Sequence, residues 1–174
     1  MAETLKPLFS KQDIRRVVKR LAAEISRDYR GEEVLCVCIL KGSFMFTSDL
    51  VREMKVPATV DFIRVSSYGK GMTSTGEVTI TKDLETDVSG RNVLIVEDII
   101  DSGLTLKWIR DMLASRNPKS VRIVALVDKK ARRKVDIPCD YVGFTLEDGF
   151  IVGYGIDYAE KYRDLPEILV VETT

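Results

Sequence analysis

Apolar and polar positions change period several times along the chain, and each change marks an element. Ser10 with Asp13 three residues on has the pattern of a capping box. Behind it Ile14, Val17, Val18, Leu21 and Ile25 recur at helical spacing to about Tyr29, and Gly31 supplies the stop. Val34 to Leu40 is an unbroken apolar run, as expected of a central parallel strand covered on both faces. Phe44 to Met54 reads as a helix, and Pro57 precedes a strand near Val60 to Val65. Ser66 to Gly76 is polar and glycine-rich, a mobile loop by composition, closed by a short strand at Glu77 to Thr81. After the polar connection Asp83 to Gly90, Asn92 to Val96 is again a buried strand. Leu106, Ile109 and Leu113 mark a helix that Asn117-Pro118 ends. Further strands are expected at Val121 to Val127, Tyr141 to Thr145 and Ile168 to Val171. Strand, helix and strand in repeated order predict an α/β fold with a central, mainly parallel sheet flanked by helices. At 174 residues it reads as one domain.

The chemistry concentrates in NVLIVEDIIDSGLT, Asn92 to Thr105. The buried strand gives way to Glu97, Asp98 and Asp101, with Ile99 and Ile100 between them, then to Ser102, Gly103 and Thr105 at the start of a helix. A strand entering a Ser/Gly/Thr turn and a helix forms an anion-binding corner, since backbone N–H groups and the helix dipole face one spot. Three carboxylates would repel a bare phosphate. A sugar diol can donate to them, and a divalent cation can offset them, so the stretch suggests a ligand combining sugar, phosphate and metal. The other common phosphate loops, G-x-x-x-x-G-K-[ST] and G-x-G-x-x-G after a strand, do not occur. In open α/β sheets ligands bind beyond the carboxyl ends of the strands. Lys41, Asp98 with Asp101, and Lys129 each fall at such an end, which argues for one shared site.

Composition narrows the chemistry. Twenty-seven basic residues balance 27 acidic ones, so a general pull on nucleic acid is not expected. The basic run Lys129, Lys130, Arg132, Arg133 and Lys134 reads as a solvated face. No stretch is apolar for long enough to span a bilayer, and the first residues lack a signal-peptide pattern. Cys36, Cys38 and Cys139 form no C-x-x-C pair and read as thiols of a reducing, cytoplasmic compartment. There is no histidine, so proton chemistry falls to Asp, Glu, Lys or Tyr.

VLIVEDIIDSGLTL resembles the phosphoribosyl-pyrophosphate signature of the purine phosphoribosyltransferases, in their hypoxanthine-guanine branch. Four other segments fit in order: LKG at Leu40 to Gly42, SYG at Ser67 to Gly69, ALVDK at Ala125 to Lys129, and DGFIVGYGIDYAEKYRDL at Asp148 to Leu165. The resemblance implies the type I phosphoribosyltransferase fold. Its core would span roughly 30–135, and the N-terminal segment and roughly 136–174 would form a small hood. It also implies Mg²⁺-dependent transfer of a 5-phosphoribosyl group from phosphoribosyl pyrophosphate to a 6-oxopurine, and a homodimer or homotetramer.

Residue roles follow from the same resemblance. Glu97 and Asp98 would bind the ribose hydroxyls, directly or through metal, with Asp157 a second metal-associated carboxylate. Asp101, Ser102, Gly103, Leu104 and Thr105 would cradle the 5′-phosphate, and Asp101 would accept the proton of the attacking ring nitrogen. Lys129 would donate to the purine 6-oxo group, Phe150 would stack on the base, and Ile151 would offer backbone groups to the opposite edge. Lys41, Gly42 and Arg163 would face pyrophosphate, with the Lys41–Gly42 bond able to be cis. Ser67 and Tyr68 would belong to a loop that closes over the site. Hypoxanthine, guanine and xanthine all remain open as substrates. A nucleic-acid-binding regulator with the same fold is the rival reading, supported only by the basic run.

Overall fold

Continuous apolar runs can be buried on both sides only inside a sheet with layers above and below it, and the chain has that arrangement. The computed structural model describes residues 3–68 and 77–173. In chain order these form β1 (Glu3–Phe9), α1 (Lys11–Asp28), β2 (Val34–Ile39), α2 (Phe44–Glu53), β3 (Ala58–Tyr68), β4 (Glu77–Lys82), β5 (Asn92–Ile100), α3 (Leu104–Ala114), β6 (Ser120–Lys129), β7 (Tyr141–Leu146), β8 (Ile151–Val152) and β9 (Ile168–Thr173). A six-stranded sheet runs β4-β3-β2-β5-β6-β7, parallel throughout except for β4, which pairs antiparallel with β3.

Alternate residues of the central strands feed two cores. Cys36, Leu94, Val96, Val124 and Leu126 pack beneath α1 and α2 with Val18, Leu21, Ile25, Phe46 and Leu50. Leu35, Val37, Val93, Ile95, Ile123 and Ala125 pack against Leu106, Ile109 and Leu113 of α3. The expected capping box at Ser10 and Asp13 is present. The cysteines are free, and burial pushes the thiols of Cys36 and Cys139 up to about 12, so they behave as packing groups. Among the described residues no helix is long and apolar enough to cross a membrane.

Several boundaries differ from the sequence reading. β5 continues through Glu97 and Asp98 to Ile100, because the ladder with β6 holds past the point where the side chains turn polar. Glu97 and Asp98 therefore stand on a strand, not after one. β3 likewise extends to Tyr68, so Ser66, Ser67 and Tyr68 are paired with Thr79, Val78 and Glu77 and are not loop residues. The remainder of the expected closing loop, 69–76, lies outside the described residues. A second sheet, β1-β9-β8, contains two strands the pattern did not signal, β1 and β8. Pro7 is tolerated there because β1 is an edge strand. β7 belongs to the large sheet, so the chain passes to the second sheet after Leu146 and not near Asp136. The two sheets meet where Phe9 stacks on Phe144, ring centroids 3.8 Å apart.

Candidate active site

The turn between β5 and α3 is built by Gly103, whose φ of 82° is the left-handed conformation that a Cβ disfavours. It caps α3, and Lys107 N–H donates to its carbonyl at 2.9 Å. Ser102 Oγ accepts from Leu104 N–H at 3.3 Å, so Ser102, Gly103, Leu104 and Thr105 form one compact helix start. First-turn N–H groups of a helix have no acceptor within it and point out along the axis.

A second loop braces this turn. Arg133 Nε donates to the Asp101 carbonyl at 3.1 Å, and Lys134 N–H donates to the Ser102 carbonyl at 2.9 Å. A side chain on Gly103 would meet Arg133 Cδ and Ile137 Cγ2, both 3.2 Å away. Arg133 is held in turn by an ion pair with buried Asp128, which Lys130 Nζ also reaches at 2.7 Å. Burial alone would raise the Asp128 carboxyl, but these two cations hold it below the usual range. The basic run is thus only partly a solvated face, since Lys129 is buried and Arg133 turns inward.

Lys129 closes β6 with 5% of its surface exposed. Its ammonium donates to the Gly149 carbonyl at 3.2 Å and lies 3.8 Å from Asp101 Oδ2. Asp101 Oδ1 is buried with no hydrogen-bond partner, an acceptor left available. Phe150, next to Gly149, keeps 45% of its surface exposed and meets Tyr158 edge-to-face at 5.2 Å. Ile151 is buried and paired with Val170, so only its backbone remains as a possible contact.

The carboxylates on β5 occupy different environments. Burial, then the neighbouring Asp98 charge, pushes the Glu97 carboxyl well above its ordinary range. Glu97 Oε1 accepts from Asp98 N–H at 3.0 Å and from the Ser43 hydroxyl at 3.3 Å. Asp98 Oδ1 accepts from Ile99 N–H at 2.7 Å. Its other oxygen lies 1.9 Å from the place a Cβ on Gly42 would take. A side chain at 42 would therefore displace the Asp98 carboxylate from this position. The cis bond expected at Lys41–Gly42 lies one peptide earlier, between Leu40 and Lys41.

Gly155, at φ 94°, backs onto the same turn, and a Cβ there would stand 2.4 Å from the Gly42 carbonyl oxygen. Arg163 Nη1 donates to the Gly155 carbonyl at 2.8 Å, and Nη2 lies 3.2 Å from both Asp157 Oδ1 and Glu160 Oε1. Lys41 Nζ reaches Glu160 Oε2 at 3.0 Å. Lys41, Gly42, Asp98, Asp157 and Arg163 are thereby linked through contacts. Glu97, Asp98 and Asp157 do not form one metal cage: among the described residues no three Asp, Glu or Cys side chains converge on a common point. Asp157 is instead committed to Arg163 and to Glu160 N–H, which it accepts at 2.8 Å.

Sequence reasoning missed Ser43, Asp128, Arg133 and Glu160. Glu160 and Asp128 each stood in a segment already singled out, and Arg133 in the basic run, but none of the three was given a role. A cavity of about 640 Å³ lies elsewhere, between α1, α2 and residues 164–166, and includes none of the expected site residues.

Comparison with known proteins converges on one group. The phosphoribosyl transferase domain matches residues 5–159. Over 170 residues the chain is 49% identical to the hypoxanthine phosphoribosyltransferase of Salmonella typhimurium, covering 97% of this chain and 96% of that protein. It is 48% identical over 167 residues to the hypoxanthine-guanine phosphoribosyltransferase of Bacillus subtilis, covering 96% and 93%. A crystal structure of a hypoxanthine-guanine phosphoribosyltransferase from Bacillus anthracis superposes with a TM-score of 0.92 at 47% identity, over 99% of this chain and 100% of that one.

Proposed function

The chain belongs to the phosphoribosyl transferase family, and from that premise we propose that it transfers 5-phosphoribosyl from phosphoribosyl pyrophosphate to hypoxanthine or guanine. The products are IMP or GMP and pyrophosphate, the chemistry of purine salvage. The observation that carries this reading is the buried Lys129 ammonium beside Asp101 and Gly149, three residues remote in sequence.

The barrier is departure of a polyanion from the anomeric carbon while positive charge develops on the ribose. The turn from Ser102 to Thr105 holds the 5′-phosphate with backbone N–H groups and hydroxyls, fixing the sugar at its far end. Lys129 donates to the purine 6-oxygen. An ammonium has donors only, so the 6-amino group of adenine would leave it buried against another donor, which supports selection of oxidised purines. Phe150 offers its exposed ring as a stacking face. The Asp101 carboxylate, 3.8 Å from the Lys129 ammonium, takes the proton from the attacking ring nitrogen.

Glu97, Asp98 and Asp157 are the residues that would hold Mg²⁺, with the hard oxygen donors it prefers. Ile99 N–H orients Asp98 Oδ1 and Glu160 N–H orients Asp157 Oδ2, which fixes these two carboxylates as candidate ligands. When bound, Mg²⁺ supplies charge neutralisation of the pyrophosphate leaving group. Lys41 and Arg163 add the cationic contacts on that side.

The experiment is an absorbance assay with phosphoribosyl pyrophosphate and Mg²⁺ and each purine in turn. Turnover of hypoxanthine or guanine with adenine unused is expected, and adenine used as well as hypoxanthine refutes the Lys129 assignment. The xanthine rate reads the backbone geometry around Ile151.

We further propose a homo-oligomer in the cytoplasm. Free buried thiols support the compartment. Val60 and Phe62, 40% and 39% exposed on one face of β3, support a self-association surface, which light scattering tests.

A further inference from the structure

The two cations given to pyrophosphate above are already joined by a single carboxylate. Glu160 places Oε2 3.0 Å from Lys41 Nζ and Oε1 3.2 Å from Arg163 Nη2. One oxygen on each of two cations reproduces the way phosphoryl oxygens would span them. The backbone aims this side chain. Ala159, Glu160 and Tyr162 adopt positive φ of 49°, 67° and 76°, uncommon for residues with a Cβ, and Glu160 N–H is tied to Asp157 Oδ2 at 2.8 Å.

Arg163 does not depend on Glu160 for its own placement. It retains Asp157 at 3.2 Å and the Gly155 carbonyl at 2.8 Å, and its buried Nε has no partner. An incoming anion therefore finds a guanidinium whose position does not depend on Glu160. The Lys41 and Glu160 side chains are 44% and 65% exposed, and ion pairs at that exposure are weak enough to exchange.

Resting on the assignment of Lys41 and Arg163 to pyrophosphate, we propose that Glu160 is a displaceable internal occupant of the pyrophosphate site. Without ligand it holds two like charges together that would otherwise repel. It swings aside when the more highly charged pyrophosphate group enters, and it returns as pyrophosphate leaves, competing with rebinding of the product. Glu160 is a positioning residue in this scheme: it touches Lys41 and Arg163, not the reacting carbon.

The test is calorimetric titration of pyrophosphate with Mg²⁺ into the full-length protein and into Glu160→Gln and Glu160→Asp, with hypoxanthine turnover followed in parallel. Glu160→Gln removes the competing charge. Glu160→Asp keeps the charge but is one methylene too short to reach both cations. Loss of two exposed ion pairs predicts pyrophosphate bound about three- to tenfold more tightly in both variants, with a lower KM for phosphoribosyl pyrophosphate. Unchanged or weaker binding in Glu160→Gln overturns the proposal. Tighter binding in Glu160→Gln alone also overturns it, because general charge, not the bridge, would then be the cause. Wild-type protein that binds pyrophosphate but turns over no purine refutes the enzymatic reading instead, and the calorimetry still decides the displacement.

Discussion

The Lys129 ammonium stands 3.8 Å from an oxygen of the Asp101 carboxylate. Strand register creates the pair. Ile100, the last residue of β5, lies opposite Asp128 of β6, so the next residue along each chain is Asp101 just past β5 and Lys129 at the end of β6. The group expected to read the base and the group expected to take its proton are thus set by one backbone ladder.

Asp101→Asn keeps the shape of that pair and removes the base. A positioned general base contributes about 10²–10⁴-fold, so kcat should fall by that order, while the affinity for phosphoribosyl pyrophosphate changes far less. Steady-state kinetics with direct measurement of donor binding checks this. Equal losses in rate and binding contradict the assignment.

Lys129→Met retains the length of a buried side chain and loses its donors. The kcat/KM for hypoxanthine should drop about 10²-fold, the worth of a charged hydrogen bond, with no matching loss for adenine. Discrimination between the two bases should therefore narrow. A uniform fall for every base would mean that Lys129 serves structure and not selection.

Arg133→Ala removes the brace between Asp128 and the Asp101 carbonyl and leaves Asp128 buried with only Lys130 as partner. The turn proposed to cradle phosphate should loosen, raising KM for phosphoribosyl pyrophosphate about tenfold, with thermal stability lowered by about 1–3 kcal/mol. Inorganic phosphate binding, followed by calorimetry, should weaken in parallel. Lowered stability with unchanged phosphate affinity would limit Arg133 to a folding role.

Asp61 provides a pH signature remote from the chemistry. Burial raises its carboxyl, but N–H groups of Phe62, Glu85 and Thr86, at 2.7, 2.9 and 2.8 Å, outweigh burial and hold it below the ordinary value. A lowered folded value means its contribution is complete above the unfolded value, about 3.9, and is lost as pH falls through the folded one. Asp61→Ala should cost about 2–4 kcal/mol near neutral pH by stranding three donors. Denaturant melts should show the variant's deficit shrinking below about pH 4. A deficit independent of pH would contradict the sign.

Much of this was legible in the sequence because the central strands are buried on both faces and leave no choice of residue. Asn92 to Val96 and Val121 to Val127 read directly as strands, and Gly103 announced the turn. Glu97 and Asp98 hid the true end of β5, since backbone pairing is indifferent to side-chain polarity. β1 was hidden by Pro7 and by a strand that is mostly exposed. Arg133 and Asp128 were unreadable for a different reason. A charge run looks solvated until the fold supplies a buried carboxylate to turn one member inward. The role of Gly42 depends on where Asp98 falls, which no local pattern records.

The most direct measurement is a crystal structure of the protein with IMP bound. The 5′-phosphate should lie on the turn from Ser102 to Thr105, with the purine ring against Phe150 and its 6-oxygen within hydrogen-bonding reach of Lys129 Nζ. A phosphate bound away from Thr105, or a base that does not approach Phe150 and Lys129, would contradict the proposed site.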